Sequence, residues 1–255
     1  MRVYDTIVAR LFTPWAHDLI ERLAPPVGCT ALDIAAGPGT VARVLAARLG
    51  RPGHVIASDI SPAMLEIARS KPVEDGWAAI EWVESAAVPL PVPDSSVDIV
   101  TCQQGLQFFP DKTAALTEMR RALRNGGRAG VAVWTEVEDQ IFGYLRDALA
   151  NVVSAEVAQR YLGPFLLSGE HAAEHARAAG FADVQLERVT LPAVLPGGAQ
   201  DLVDSLAATG IAAEIAALDA ATGTQLLAEA SRLTESIRDG EAIRASMTAS
   251  VLILS

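Results

Sequence analysis

Lysine is almost missing from this chain: Lys71 and Lys112 are the only two among its 20 basic residues, against 31 acidic ones, and the formal charge is -11. Polyanions are held by grouped cations, so scattered arginines on an acidic chain oppose nucleic-acid binding and suit a neutral or cationic small molecule. Cysteine is nearly as scarce. Cys29 and Cys102 stand far apart in strand-like or loop sequence, which reads as two reduced, half-buried thiols of a cytoplasmic protein rather than a disulfide or ligand pair. Aromatic residues make up 5% of the chain while 51% is hydrophobic, which excludes a low-complexity chain and fits an interior of Ala, Val and Leu. No apolar run approaches the ~20 residues that span a bilayer. The opening stretch, MRVYDTIVARLFTPWAHDL, is broken by charges, so neither a signal core nor a membrane partner is expected. With 255 residues the chain can bury one sizeable core, and one domain over 1–255 is expected.

Through the first half, β-rich runs alternate with helical spacing: 31–35, 54–58, 80–83, 97–101 and 130–134. Such alternation predicts an α/β fold with a doubly wound, mostly parallel sheet. Punctuation agrees. Thr40 is a candidate cap for the helix carrying Val41, Val44, Leu45 and Leu49; Ser61-Pro62 is an N-cap followed by proline; Asp111 opens a helix that Asn125-Gly126-Gly127 should close. Residues 1–28 read as an N-terminal helical cover and 29–135 as the binding core. Residues 136–168 and 196–240 read as helical lids, with a helix near 170–179 and strands at 184–189 and 249–254 beside them.

In an open α/β sheet, ligands bind beyond the carboxyl ends of the strands where strand order reverses. The loop after the first strand is Ala35-Ala36-Gly37-Pro38-Gly39-Thr40, a sharp turn open to close backbone approach. Asp33 lies inside the apolar run before it, where a lone carboxylate is costly, so it should meet a cation or several donors. Asp59 closes the second strand about 20 residues after Gly39, the place for a carboxylate that accepts ribose hydroxyls.

Four segments in order, ALDIAAGPGTVARVL, VIASDISPAMLEIAR, VPLPVPDSSVDIVTCQQGLQFFPD and ALTEMRRALRNGGRAGVAVW, resemble the class I S-adenosylmethionine-dependent methyltransferases of the small-molecule, UbiE-like type. The resemblance runs from about Tyr4 to Trp134, with a weaker echo at 179–187. It implies a seven-stranded Rossmann-like sheet with S-adenosyl-L-methionine as cofactor and S-adenosyl-L-homocysteine as product. Asp33 and the loop of Ala35, Ala36, Gly37 and Gly39 would hold the methionine end, and Asp59 the ribose. Ile60 and Met64 would flank the adenine, with the backbone at Ala86 and Ala87 on its edge. The backbone at Cys102 and Gln103, leaving the fourth strand, would reach the ammonium, while Gln104, Gln107 and Phe108 would face the methyl. Two positions depart from the family pattern: Ala35 stands where a glycine is usual, and Ser85-Ala86-Ala87 replaces Gly-Asp-Ala, leaving backbone donors or Ser85 to meet the adenine.

Other patterns in the chain point to different chemistry. Gly37-Pro38-Gly39-Thr40-Val41-Ala42 also satisfies a dinucleotide pattern, but Pro38 removes an N–H that a pyrophosphate would need, and no Tyr-x-x-x-Lys pair occurs. His171-Ala-Ala-Glu174-His175 matches a metalloprotease pattern without a further ligand in context, so no metal is expected. A non-methylating rearrangement or a regulatory role would use the same pocket. The activated methyl needs alignment and exclusion of water more than covalent chemistry. If the acceptor must lose a proton, His17 is the first candidate base, His171 the second, and an acidic acceptor that ionises unaided is the alternative. Trp15, Phe142, Tyr144, Tyr161 and Phe165 are candidate pocket aromatics. The acceptor and the oligomeric state are not legible.

Overall fold

Five short apolar runs become five parallel strands: β1 (Thr30–Ile34), β2 (His54–Asp59), β3 (Ala79–Glu84), β4 (Val97–Gln103) and β5 (Leu123–Trp134), neighbours in the order β3-β2-β1-β4-β5. The computed structural model describes Ile7 and residues 9–255; Tyr4, where the resemblance begins, lies outside them. β6 (Val184–Leu195) and β8 (Ala242–Leu254) continue the ladder beyond β5 in the order β8-β6, and the two-residue β7 (Arg238–Asp239) pairs antiparallel with β8. The doubly wound, seven-stranded ladder is present, with β7 as a short eighth strand. Burial explains the sequence texture: β1 and β4 are covered on both faces and read as continuous apolar runs, whereas β3, at the end of the ladder, is half exposed.

Several boundaries differ from expectation. β6 and β8 are longer than the runs 184–189 and 249–254. Pro192 does not stop β6, because a strand at the end of the ladder has a side on which no N–H is required. The Asn125-Gly126-Gly127 segment does not close a helix. It lies inside β5, where pairing with β4 jumps from Val97–Leu123 to Ile99–Arg128, so these residues form an irregularity in the ladder.

The helices are α1 (Ala9–Leu23), α2 (Thr40–Leu49), α3 (Pro62–Ser70), α4 (Lys112–Ala122), α5 (Ile141–Val152), α6 (Ala155–Leu162), α7 (Gly169–Ala178), α8 (Ala199–Asp204), α9 (Ala212–Ala216) and α10 (Ala220–Leu233). Ser61 caps α3 by accepting the Met64 N–H, and Asp111 caps α4 by accepting the Ala114 N–H. Thr40 does not cap α2. Gly39 occupies that position with φ 83, and a β-carbon there would fall 2.4 Å from Cη2 of Trp82, so both backbone and space require glycine.

The chain divides into two compact units. One consists of Thr13–Val133, Leu167–Arg188 and Ser250–Ser255. Its core joins Leu32 and Ile34 of β1, Val100 and Cys102 of β4, Leu116 and Met119 of α4, and Val131 and Val133 of β5. The other contains Trp134–Leu166 and Val189–Ala249 with the described residues up to Phe12. Phe12, Trp134, Phe142, Phe165 and Tyr161 form a file there, with successive ring centroids 5.6, 5.4, 4.9 and 5.8 Å apart. Gln140 is buried and bridges Thr135 and Thr248, its amide accepting the Thr248 N–H and donating to the Thr135 carbonyl. No helix among the described residues is long and apolar enough to cross a membrane.

Candidate active site

Strand order reverses between β1 and β4, and the expected site residues, apart from His17, lie at the carboxyl ends of the strands in the first of the two units. The β1 run TALDI carries its one charged side chain at Asp33, and β4 carries Thr101 directly opposite it in the ladder. Thr101 Oγ1 donates to Asp33 Oδ1 at 2.7 Å. Asp33 is 1% exposed, and its Oδ2 meets no donor at hydrogen-bonding geometry among the described residues. Within the described residues the side-chain donor that Asp33 meets is the Thr101 hydroxyl. Burial pushes the carboxyl up to about 7; the Thr101 hydroxyl and the Ala42 amide oppose this, and the Asp59 carboxylate adds to it. Thr101 is a site residue that the motifs do not single out, although a polar residue inside VDIVTC is the same kind of signal as Asp33 inside its own apolar run.

The turn that follows is tied from below and behind. Ala35 is left-handed at φ 54, so the departure from glycine carries backbone strain. Asp59 Oδ2 accepts the Gly37 N–H and its Oδ1 accepts the Ser61 N–H, each at 2.8 Å. Trp82 backs Gly39, and the Arg43 guanidinium lies 5.7 Å from the Trp82 ring centroid. Arg43 also donates to the carbonyls of Ala68, Lys71 and Pro72, satisfying the C-terminal end of α3. No local pattern announces this brace, which joins α2, α3 and β3.

Around the rim, Ile60 is 73% exposed and Met64 half-buried. The N–H groups of Ala86 and Ala87 make no hydrogen bond among the described residues. Ser85 is less available than expected, because its hydroxyl donates to the Ala86 carbonyl at 3.0 Å. Cys102 and Gln103 do not lie beyond β4 but are its last two residues; pairing with β5 reaches Gln103–Ala132, whereas pairing with β1 stops at Asp33–Thr101. Cys102 is fully buried rather than half-buried, and burial pushes its thiol up to about 12, the Asp33 charge adding and the amides of Gly105 and Leu106 opposing.

Gln104 and Gln107 are buried, and neither side-chain amide has a hydrogen-bond partner among the described residues. Phe108 beside them is exposed. His17 is exposed on α1, and no hydrogen bond joins it to these side chains among the described residues. His171 lies 3.3 Å through Nδ1 from the Ser168 hydroxyl, and His175 Nδ1 lies 2.7 Å from Thr113 Oγ1 of α4, so separate hydroxyls engage the two histidines of the His-x-x-Glu-His pattern.

A parallel sheet with a glycine turn after β1, a carboxylate ending β2 and a reversal of strand order between β1 and β4 defines the Rossmann-like class of α/β proteins. Residues 3–152 match the ubiE/COQ5 methyltransferase family, and the chain belongs to it. The ubiquinone/menaquinone biosynthesis C-methyltransferase UbiE of Xanthomonas campestris pv. campestris is 37% identical over 144 residues, 56% of this chain and 57% of that protein. The 2-phytyl-1,4-naphtoquinone methyltransferase of Thermosynechococcus vestitus is 36% identical over 130 residues, 51% of this chain and 57% of that one. The chain thus spans little more than half the length of these relatives. The crystal structure of the YcgJ protein from Bacillus subtilis superposes with a TM-score of 0.60 at 19% identity, covering 94% of this chain and 96% of that one, and shares the fold.

Proposed function

We propose that this protein binds S-adenosyl-L-methionine at the carboxyl ends of β1, β2 and β4 and transfers its methyl group to a small, lipophilic organic acceptor. One observation carries the reading: Asp33 Oδ2 in β1 and the amides of Gln104 and Gln107, in the segment after the adjacent β4, are buried without partners among the described residues. Each such group costs about 1–3 kcal/mol when left unmade, so their presence after two adjacent strands supports a polar ligand there. The donors and acceptors also suit the cofactor by type. Asp33 is a buried carboxyl whose ionised form suits a cationic ligand. Asp59, already oriented by two amides, retains lone pairs for a diol, and the free N–H groups at Ala86 and Ala87 meet a base edge. The exposed side chain of Ile60, with Met64, supplies apolar cover.

The cofactor, when bound, supplies an activated methyl group. The chain's part is to hold and orient: Asp33 with Ala35, Ala36, Gly37 and Gly39 at the amino-acid end, Asp59 at the ribose, and the Cys102–Gln103 backbone at the ammonium. Gln104 and Gln107 orient the acceptor, and Phe108 excludes water beside it. Where the acceptor must lose a proton, His17 is the proposed base, and turnover by His17→Ala decides between it and an acceptor that ionises unaided. The helices at 136–168 and 196–240 are the proposed selectors of the acceptor. The relatives' names, a C-methyltransferase of quinone biosynthesis and a naphthoquinone methyltransferase, put reduced quinone rings first in a panel of lipophilic acceptors. Methyl-labelled cofactor incubated with protein and panel should yield labelled product, and calorimetry should show adenosylhomocysteine binding. A protein with no affinity for adenosylhomocysteine ends this reading.

A further inference from the structure

The loops leaving β1 and β4 meet through three small groups. Gly105 has φ -101 and ψ -40, a conformation open to any residue, so its backbone does not demand glycine. Space does: a β-carbon at 105 would fall 2.7 Å from Ala35 Cβ and 2.9 Å from Cys102 Sγ. Positions 35 and 105 therefore compete for one methyl-sized volume, and this chain fills it from Ala35, in spite of the left-handed backbone that Ala35 must adopt there. Gln104, immediately before Gly105, is itself left-handed at φ 57, and its N–H donates to the Ala132 carbonyl of β5 at 2.8 Å. The Gln104–Gly105 turn is thus held by β5, by the Cys102 thiol and by the Ala35 methyl.

We infer that Ala35 is a positioning residue whose methyl keys the loop after β1 to the Gln104–Gly105 turn, so that the loop proposed to hold the cofactor and the amide proposed to orient the acceptor share one geometry. This rests on the cofactor reading above. Glycine at 35 relieves the strain but leaves the volume empty and the loops independent. Alanine at 105 drives the Ala35 methyl, and the cofactor loop with it, out of place.

The test is a cycle of the full chain, Ala35→Gly, Gly105→Ala and the double variant, each titrated calorimetrically with adenosylhomocysteine and melted without ligand. Gly105→Ala should weaken binding by about tenfold or more, as expected for overpacking of well over 1 kcal/mol. In the Ala35→Gly background the same change should cost about threefold or less, the remainder coming from Cys102 Sγ. Equal costs in the two backgrounds overturn the inference, as does an unchanged affinity in Gly105→Ala. Coupling seen in melting alone, with additive affinities, reduces the pair to packing and overturns it too. If Gly105→Ala does not fold, the double variant decides: folded and binding upholds the keying, unfolded rejects it. Binding by the unsubstituted chain with additive costs rejects this inference alone, whereas no binding by that chain rejects the cofactor reading and this inference with it.

Discussion

The Asp59 carboxylate accepts the amide N–H of Gly37 at 2.8 Å, joining the end of β2 to a turn 22 residues earlier in the chain. With its second oxygen on the Ser61 amide, the carboxylate is fixed before any ligand arrives. One residue therefore shapes the glycine turn and presents the lone pairs proposed for the ribose.

Asp59→Ala should weaken adenosylhomocysteine by about a hundredfold or more, since both charged hydrogen bonds to a diol and the tie to Gly37 disappear together. Asp59→Asn keeps one acceptor oxygen and should fall between the two. Calorimetric titration reads both, and wild-type affinity in Asp59→Ala would remove the ribose assignment.

Asp33 gives the free protein a pH dependence of defined sign. Its carboxyl titrates near 7 in the fold and near its ordinary value of 3.8 when unfolded, so the folded state holds the extra proton between these values. This contribution to stability is present below pH ~4 and is lost as pH rises through about 7. Asp33→Asn should flatten the melting temperature of the free chain over that window. A cationic ligand favours the ionised carboxylate, so adenosylhomocysteine, which carries an ammonium, should bind more tightly as pH rises through about 7 in the wild type only. An affinity independent of pH would separate Asp33 from the ligand.

Gln107→Leu exchanges a buried amide without partners for an apolar side chain of similar size. Melting temperature should stay level or rise, because an unsatisfied polar group is removed. Turnover should fall by about tenfold or more if the amide orients the acceptor. Loss of stability with full activity would show that the amide serves the fold and not the reaction.

Gly39→Ala combines a left-handed φ of 83 with a β-carbon 2.4 Å from the Trp82 ring. A loss of about 2–4 kcal/mol in urea denaturation is expected, together with weakened adenosylhomocysteine binding. Arg43→Met should leave the turn in place but loosen the C-terminal end of α3, reducing stability by about 1–3 kcal/mol through the lost carbonyl bonds.

Much of the frame was legible in one dimension. Apolar runs separated by helical spacing placed β1 to β5, Ser61 and Asp111 announced their helices, and Asp59 stood at the end of β2 as its spacing from Gly39 implied. Local rules failed where a distant partner intervened. Thr40 looked like a cap until Trp82 claimed the space that makes Gly39 the cap, and the glycines at 126 and 127 looked like a helix stop until β4 drew them into β5.

Chain order, spacing and propensity were enough to name the fold, the turn and the two carboxylates, because each is a property of neighbouring residues. That Asp33 finds a single hydroxyl from Thr101, that Gln104 and Gln107 find none, and that Ala35 fits only because Gly105 is bare all depend on segments brought together from some 70 residues apart. Satisfaction of a buried group is settled by what the folded chain sets beside it, and no local pattern encodes that.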